Sequence, residues 1–570
     1  MESDITDISQ IKKQLELRLI QRLTGGKIMN MNKKVVTLAG VALTAMSLAA
    51  CGNSGKNKAS RDLNVTLKAN PVTLDPAKTI ETPSTSMQVQ SFEGLLKYDK
   101  NNKVVLGEAA SQPTVTNDGK TWTFNLKKGL KWSNGDEVTA QDYVASIRHW
   151  ADPKTKSQAA DKVANLENYD QVAKGSAPTS SLGVKALGKY KVQFNFAKKQ
   201  PTVNVRNDFA ANLKPMNHKV LAKEGSKYGS SSSKAVYNGP FKVTNWNGGS
   251  DDEWSYVKNE HYYGKKNVHM KKVNVQVTKD NNTAQNLFKS GKVQETSVTA
   301  DYVKENKGNK ELHTSLIATQ YYLYFNGQNE LTKNENFRQA VNYAFNNNQL
   351  AKKVLQDGSV GATGWVPEGD MKNPKTGEDF AKEAGHLQNQ NKQKAQSYWK
   401  AAQKDLGKKQ MTLNLLADNT DDQKQVAEYL QSTLQKQFKG LKVEVTTLPH
   451  AQHVSRDFAS KFELNLTDWN SSVPDASDFL SLLKTGNKVN FTNNTDEKLD
   501  NLLNEANDGT KSASERYKLL QQANKQVHTN ADGVPLYTAA QAHLVSKHVT
   551  GLNYGPFNTV AQYQYAQWKK

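Results

Sequence analysis

Cysteine is almost missing from this chain: Cys51 is the only one in 570 residues. A single thiol excludes intramolecular disulfides and cysteine-based zinc centres, so any core must hold by packing and hydrogen bonding alone. Long apolar runs are scarce too. The one candidate, Val35 to Ala50 in "VVTLAGVALTAMSLAA", is interrupted by Thr, Ser and Gly and falls short of the ~20 apolar residues a bilayer span needs. Catalytic signatures are absent: there is no G-x-S-x-G elbow, H-E-x-x-H, phosphate-binding loop or dinucleotide glycine fingerprint. The eleven histidines are scattered. His261 and His269, in "HYYGKKNVH", suit a surface loop better than a metal pair. Asp251-Asp252 and Asp421-Asp422 are adjacent in sequence, which suits solvated turns or a helix start rather than an acid/base pair. No metal and no cofactor is expected, and the missing motifs weigh against catalysis.

Positive charge is what the sequence has in excess, with 76 Lys and Arg against 55 Asp and Glu, a net +21. Seven of the basic and four of the acidic residues precede Cys51, so +18 remains from there onward. The lysines are spread along the whole chain and no nucleic-acid signature accompanies them, so nucleic acid is not an expected partner. A solvated basic surface facing anionic wall polymers or lipid headgroups accounts for them, each nearby cation adding ~1 kcal/mol at most.

The lone cysteine closes an ordered segment. Lys33 and Lys34 come first, then the apolar run, then the small residues Ala49 and Ala50. That is the order of a secretory signal, and Leu48-Ala49-Ala50-Cys51 resembles the lipobox of bacterial lipoproteins, whose cysteine is joined to diacylglycerol. The expectation is a signal peptide over 29–50, lipidation of Cys51, and a polar, glycine-containing tether over 51–60. Two acyl chains supply the stable anchoring that one cannot. Residues 1–28 do not fit a signal, whose charged region opens the chain, so Met29 or Met31 is the expected true start.

Beyond the tether the patterns are those of an α/β protein. "NDGKTWTFNL" carries an Asp118-Gly119 turn and then places Trp122, Phe124 and Leu126 on one strand face. A turn at Asn134-Gly135 precedes a helix from about Thr139. "NFRQAVNYAF" sets Phe337, Ala340, Val341, Ala344 and Phe345 at the spacing of a helix buried on one side. "YGSSSSK", Tyr228 to Lys234, reads as a loop. From residue 410 the order is strand, helix, strand, with Val426, Leu430, Leu434 and Phe438 at four-residue spacing between "MTLNLLA" and "LKVEVTTL", the mark of a βαβ unit with a parallel pair.

Five segments in order resemble the peptide-binding lipoproteins of ABC importers, the peptide/nickel-binding family 5 of extracellular solute-binding proteins. They are "TLDPAKTIETPSTSMQVQSFEGLLKYD" (Thr73 to Asp99), "TWTFNLKKGLKWSNGDEVTAQDYVASI" (Thr121 to Ile147), "NGPFKVTNW" (Asn238 to Trp246), "YYLYFNGQ" with "NFRQAVNYAF" (Tyr321 to Phe345) and "GVPLY" (Gly533 to Tyr537). The resemblance implies a two-lobed, type II periplasmic-binding-protein-like fold with a third domain. Lobe I would comprise 61–93, 223–318 and 536–570, the extra domain 94–222, and lobe II 319–535. It implies a monomer, anchored to the outer face of the cell membrane, that captures oligopeptides between closing lobes and passes them to an ABC permease. A dedicated signalling-peptide receptor of the same fold, or a surface adhesin or chaperone, is the alternative. In this family a carboxylate within "A-D-Y-x-x-P" receives the peptide's terminal ammonium. The matching stretch here is "LTDWNSSVPDASDFLSLL", opened by Leu466, with Asp468 at the carboxylate position, Trp469 at the aromatic one and Pro474 displaced. Asp475 and Asp478 are the alternative acids, although helix capping also accounts for them. Asn326 and Gly327 match a peptide-contacting pair, or form an ordinary Asn-Gly turn. Thr82 matches a first-lobe strand whose backbone contacts peptide.

Overall fold

The computed structural model describes residues 62–569, apart from 80, 101–102, 388, 472, 556 and 558–560. Cys51, the signal-like stretch 29–50, residues 1–28 and most of the tether region therefore lie outside the described residues. Among the described residues no helix is long and apolar enough to cross a membrane.

One large mixed sheet organises the chain. In spatial order its strands are Leu441–Leu448, Met411–Asp418, Leu464–Asn470, Leu312–Phe325, Gly533–Val545, Glu295–Ser297, Leu63–Leu67, Lys272–Val277, Glu253–Lys258 and Phe241–Thr244. Two of them run for 14 and 13 residues, when ~5–6 is typical. The extra length lets them belong to both halves of the molecule. The first part of Leu312–Phe325 pairs with the last part of Gly533–Val545, beyond which Glu295–Ser297 and Leu63–Leu67 carry the sheet into one lobe. The second part of Leu312–Phe325 lies against Leu464–Asn470, which opens the other lobe. Between the two parts the ladder loses register, stepping from Leu316 opposite Ala540 to Gln320 opposite Thr538. Irregularities of this kind bend a strand and raise its twist. The fold is thus two-lobed α/β with a shared pair of crossing strands.

A third domain is built on its own four-stranded antiparallel sheet, in the order Thr114–Thr116, Thr121–Asn125, Lys191–Asn195 and Val184–Gly188. Its turn is made by Asn117, Asp118 and Gly119, all at positive φ, a conformation these residue types tolerate. Trp122, Phe124 and Leu126 are buried as their alternation requires. Phe124 meets Phe194 and Phe209 edge-on, with ring centroids 6.0 and 4.7 Å apart. Helix Ala140–Ala151 begins where Thr139 caps it, Asp142 Oδ2 accepting the Thr139 backbone N–H at 2.8 Å.

In the second lobe, Met411–Asp418 and Leu441–Leu448 pair in parallel over their full length through helix Asp421–Gln437. Val426, Leu430 and Leu434 form its buried stripe, and Asp421 and Asp422 occupy its first turn, where carboxylates complement the helix dipole. The helix expected through Phe345 is shorter, spanning Glu335–Asn342. Ala344 and Phe345 are buried all the same. Past Asn342 the Ala344 N–H turns to the Val341 carbonyl at 3.0 Å, the Ala344 carbonyl accepts from the side-chain amides of Gln390 and Gln437, at 3.0 and 2.8 Å, and Asn346 caps the next turn. Tyr228 to Lys234 is a loop holding a short 3-10 turn, with Tyr228 itself buried. His261 and His269 are exposed. Gly533 opens its strand against Trp365 and Tyr324, where a Cβ would lie 2.9 Å from both rings, closer than side chains approach.

A buried ion pair ties the helices of this lobe together. Arg516, on helix Ala513–Asn530, donates from both terminal nitrogens to Asp475 at 2.9 Å, and also reaches Ser477 Oγ at 3.0 Å and the Ala506 carbonyl at 3.1 Å. Asp475 in turn caps helix Ala476–Leu480 by accepting from the Ser477 N–H. The fork geometry fills the donors of the guanidinium, which is what makes a buried pair tolerable. Removing one partner leaves the other charge buried and unpaired. Arg516→Ala is expected to destabilise the protein by ~3–5 kcal/mol in urea unfolding, and more than Arg516→Ala combined with Asp475→Ala; equal losses in the two variants would show that the charge pair is not what matters.

Candidate functional site

Strand alternation and register place the site. Asp468 stands opposite Tyr321, and Tyr321 opposite Tyr537, so the three side chains lie abreast on one face of the sheet. The two tyrosine rings stack, with centroids 4.5 Å apart and planes within 10°. One residue away, Trp469, Gln320 and Thr538 form the corresponding row, which faces the other side because successive strand residues alternate. That second row is closed by hydrogen bonds. Thr538 Oγ1 donates to Gln320 Oε1 at 2.6 Å, Gln320 Nε2 donates to the Gly364 and Trp365 carbonyls at 2.8 and 3.2 Å, and Trp469 Nε1 donates to Asp478 Oδ2 at 2.9 Å.

The first row is open in the chemical sense. Asp468 is half-buried, and among the described residues no group donates a hydrogen bond to its carboxylate. Desolvation pushes its pKa up to about 6, against the attraction of His450 and with the repulsion of Asp418 adding to the rise. The neighbouring imidazoles are committed elsewhere. His450 Nδ1 lies 2.9 Å from Asp418 Oδ2, and His453 is held between Asp418 Oδ1 and Asn465 Oδ1, each at 2.6 Å. Asn465 Nδ2 donates to Asp457, so its oxygen faces His453 and both ring nitrogens of that histidine meet acceptors. Burial alone would lower the His453 pKa, but the Asp418 hydrogen bond and the Asp457 charge outweigh it and hold it raised. The imidazolium is therefore the natural form of His453, neutralised by its own carboxylates. Strands Met411–Asp418 and Leu464–Asn470 run parallel, so Asp418 and Asp468 lie towards the same carboxyl ends, outside which open α/β sheets hold their ligands.

The other residues singled out in the sequence are dispersed. Leu466 is buried in the core beneath the Asp468 row. Trp469 points to the opposite face from Asp468. Asp475 is the cap and ion-pair partner described above, and Asp478, its pKa raised by burial, serves Trp469. Asn326 and Gly327 follow the far end of the same crossing strand, five residues from Tyr321, or ~16 Å at strand rise. The Asn326 amide donates to the Ser460 and Phe462 carbonyls at 3.0 and 2.7 Å, and a Cβ on Gly327 would sit 2.1 Å from Asn494 Oδ1. Both hold loops against each other. Thr82 is not on a strand. It is exposed and begins helix Thr82–Ser91, with Glu81 accepting the Ser84 N–H at 3.0 Å and Pro83 in the first turn, where a missing N–H costs nothing.

Tyr321, Tyr537 and Gln423 complete the site and were not singled out. Gln423 donates to the Tyr537 hydroxyl at 2.9 Å from the first turn of its helix. A signal for them exists: "LLADNTDDQK" puts three carboxylates at the junction from a parallel strand to a helix, the position where such sheets bind. Tyr321 and Tyr537 carry no comparable mark, since only cross-strand register joins them.

Residues 103–491 match the family model described as bacterial extracellular solute-binding proteins, family 5. The chain is 30% identical over 546 residues to the "Dipeptide-binding protein" of Lactococcus lactis subsp. cremoris, covering 91% of this chain and 96% of that protein. Among solved structures it is similar to Listeria monocytogenes OppA bound to peptide, with 30% identity, a TM-score of 0.72, and coverage of 90% of this chain and 100% of that one. It is also similar to the pheromone receptor PrgZ, with 31% identity, a TM-score of 0.73 and the same coverage. The chain belongs to the family 5 extracellular solute-binding proteins, with a two-lobed fold of the type II periplasmic-binding class and an additional third domain.

Proposed function

We propose that this protein captures peptides outside the cell between its two lobes and delivers them to an ABC permease, with Asp468 receiving the peptide's terminal ammonium. The observation that carries the reading is a half-buried carboxylate without a hydrogen-bond donor, set in the open row beside the crossing strands. A desolvated anion in that position is costly unless a cation meets it, and an ammonium supplies both the charge and the hydrogen bonds. Main-chain pairing with an extended ligand is the same for every sequence, which suits a transporter of mixed peptides. The lobes close by bending the crossing strands where their register breaks. The protein binds and hands over its ligand and carries out no reaction on it. Likeness to a pheromone receptor makes a single-signal receptor the second reading; comparable affinity for many unrelated peptides decides against it.

Membrane attachment, in this reading, is through diacylglycerol on Cys51, supported by the Leu48-Ala49-Ala50-Cys51 order. Cys51→Ala is expected to move the protein from the membrane fraction to the medium or to an uncleaved precursor. Normal processing and anchoring of that variant would refute the lipid anchor.

Asp468→Ala is expected to weaken peptide binding by ~2–5 kcal/mol in titration calorimetry, since it strands a desolvated ammonium. Acetylating the peptide's amine should weaken binding to the unchanged protein strongly and to the variant hardly at all; equal effects on both would exclude Asp468 as the anchor.

The same carboxylate sets a pH dependence. Free Asp468, with its pKa pushed up to about 6, takes up a proton below that pH, whereas the complex needs it ionised. Proton and peptide compete for Asp468, and the peptide must keep its own proton, so the Kd should be lowest near pH 7, rise towards tenfold per unit well below pH 6, and rise again above about pH 8 as the peptide's amine is deprotonated. Asp468→Asn should remove most of that acid-side slope; an unaltered slope in the variant would show that Asp468 is not the group that titrates.

A further inference from the structure

The row that begins at Asp468 continues past the ammonium site, and the groups beyond it are also acceptors. Tyr537 ends the row, and its hydroxyl takes the Gln423 amide N–H at 2.9 Å. Gln423 is 3% exposed, and its Oε1 has no hydrogen-bond partner although the atom is fully enclosed. An orphaned buried carbonyl of this kind is a cost the free protein already carries, so a donor arriving there gains what the protein has forgone. Beside it stands Asp422, whose Oδ2 lies 3.4 Å from Gln423 Nε2.

The cations that could neutralise Asp422 are engaged. Lys424 faces Asp421 at 3.7 Å, Lys304 is shared between Asp301 and Gln425 at 3.3 and 3.2 Å, and His450 and His453 are held by Asp418. Among the described residues no ion pair or hydrogen bond to a cation reaches Asp422 or Asp468. Asp357, on the loop leading to the strand beside Gly533–Val545, has only the Ser359 N–H, at 2.8 Å. The charges of Asp468, Asp422, Asp418 and Asp357 all bear on the Tyr321 ring. In a chain of net charge +21, this wall is acidic, carries a spare acceptor and includes the stacked Tyr321 and Tyr537 rings. Those are the groups that recognise a guanidinium, whose planar fork bonds to carboxylate and amide oxygens while its face lies on an aromatic ring.

We infer that Asp422 and Gln423 Oε1, set at the Tyr537 end of the Asp468–Tyr321–Tyr537 row, form a second cation subsite that selects peptides with arginine or lysine at one of their first two positions. This rests on the peptide-binding reading and narrows it to a substrate class. Asp468 to the far side of Tyr537 spans two strand spacings, about 10 Å, within reach of a basic side chain on a peptide whose amine sits at Asp468.

Calorimetric titration with Ala-Ala-Ala-Ala, Arg-Ala-Ala-Ala, Ala-Arg-Ala-Ala and Glu-Ala-Ala-Ala tests it. At least one arginine peptide should bind roughly tenfold tighter than the alanine peptide, and the glutamate peptide weaker. Asp422→Asn should collapse the arginine-to-alanine ratio to under about threefold, and Asp421→Asn, which changes the exposed neighbour paired with Lys424, should preserve it. Equal affinity for arginine and alanine peptides in the unchanged protein would overturn the subsite and leave peptide binding standing. A ratio that survives Asp422→Asn, or falls equally in Asp421→Asn, would overturn it as well. Failure of all four peptides to bind would bring down the peptide reading and the subsite together.

Discussion

Two antiparallel strands, Leu312–Phe325 and Gly533–Val545, hold the molecule together, because they are the only segments of the described sheet long enough to pair in both lobes. A sheet that continues from lobe to lobe imposes one alternation of faces on both. That alternation puts Asp468, Tyr321 and Tyr537 in one row and Trp469, Gln320 and Thr538 in the other. The ladder between these two strands loses register twice, between Leu316 and Gln320 and again between Tyr321 and Tyr322, so the rows at Gln320 and Tyr321 lie between two irregularities. A ligand held by the first row is therefore held next to the place where the crossing strands can bend.

The contrast between the two rows is one of satisfied and unsatisfied polar groups, although behind the sheet buried Asp370 also keeps both carboxylate oxygens without a partner among the described residues. Behind the sheet, Gln320, Thr538, Trp469, Asp478, Asp475 and Arg516 have their partners within the protein. In front, Asp468 lacks a hydrogen-bond donor and Gln423 keeps a bare oxygen. Buried polar groups are otherwise nearly always paired. Leaving them unpaired lowers the stability of the free protein and raises what a complementary ligand gains, provided the surroundings keep water and stray cations away. The histidines beside the site serve that end, since Asp418 and Asp457 hold them and none folds back onto Asp468.

Third-domain construction follows the same economy at smaller scale. Its aromatic cluster of Phe124, Phe194 and Phe209 is assembled from one sheet and one helix, and its helix Ala140–Ala151 carries a reciprocal cap. The buried aromatics supply the packing that disulfides supply in smaller exported domains, which a chain with one cysteine cannot use.

Much of this was readable from residues near one another in the chain. Period-two burial at Trp122 and Phe124, the capped start at Thr139 and the βαβ unit from Met411 to Leu448 all follow from local propensity and spacing, and the ordered family segments carried the overall fold. Two elements differ from that pattern: helix Glu335–Asn342 stops early, with the Ala344 carbonyl beyond it met by distant glutamines, and Thr82 starts a helix, with its neighbours Glu81 and Pro83 at the cap and in the first turn. Asn326 and Gly327 pack against loops whose partner residues, Phe462 and Asn494, are more than a hundred residues away, which no local pattern announces. The sequence alone determined which residue types were available and how they alternate along each strand. Only the tertiary structure decided which strands lie side by side, and so brought Asp468, Tyr321 and Tyr537 into one row, because register between distant segments is settled by the packing of whole lobes and not by any local preference.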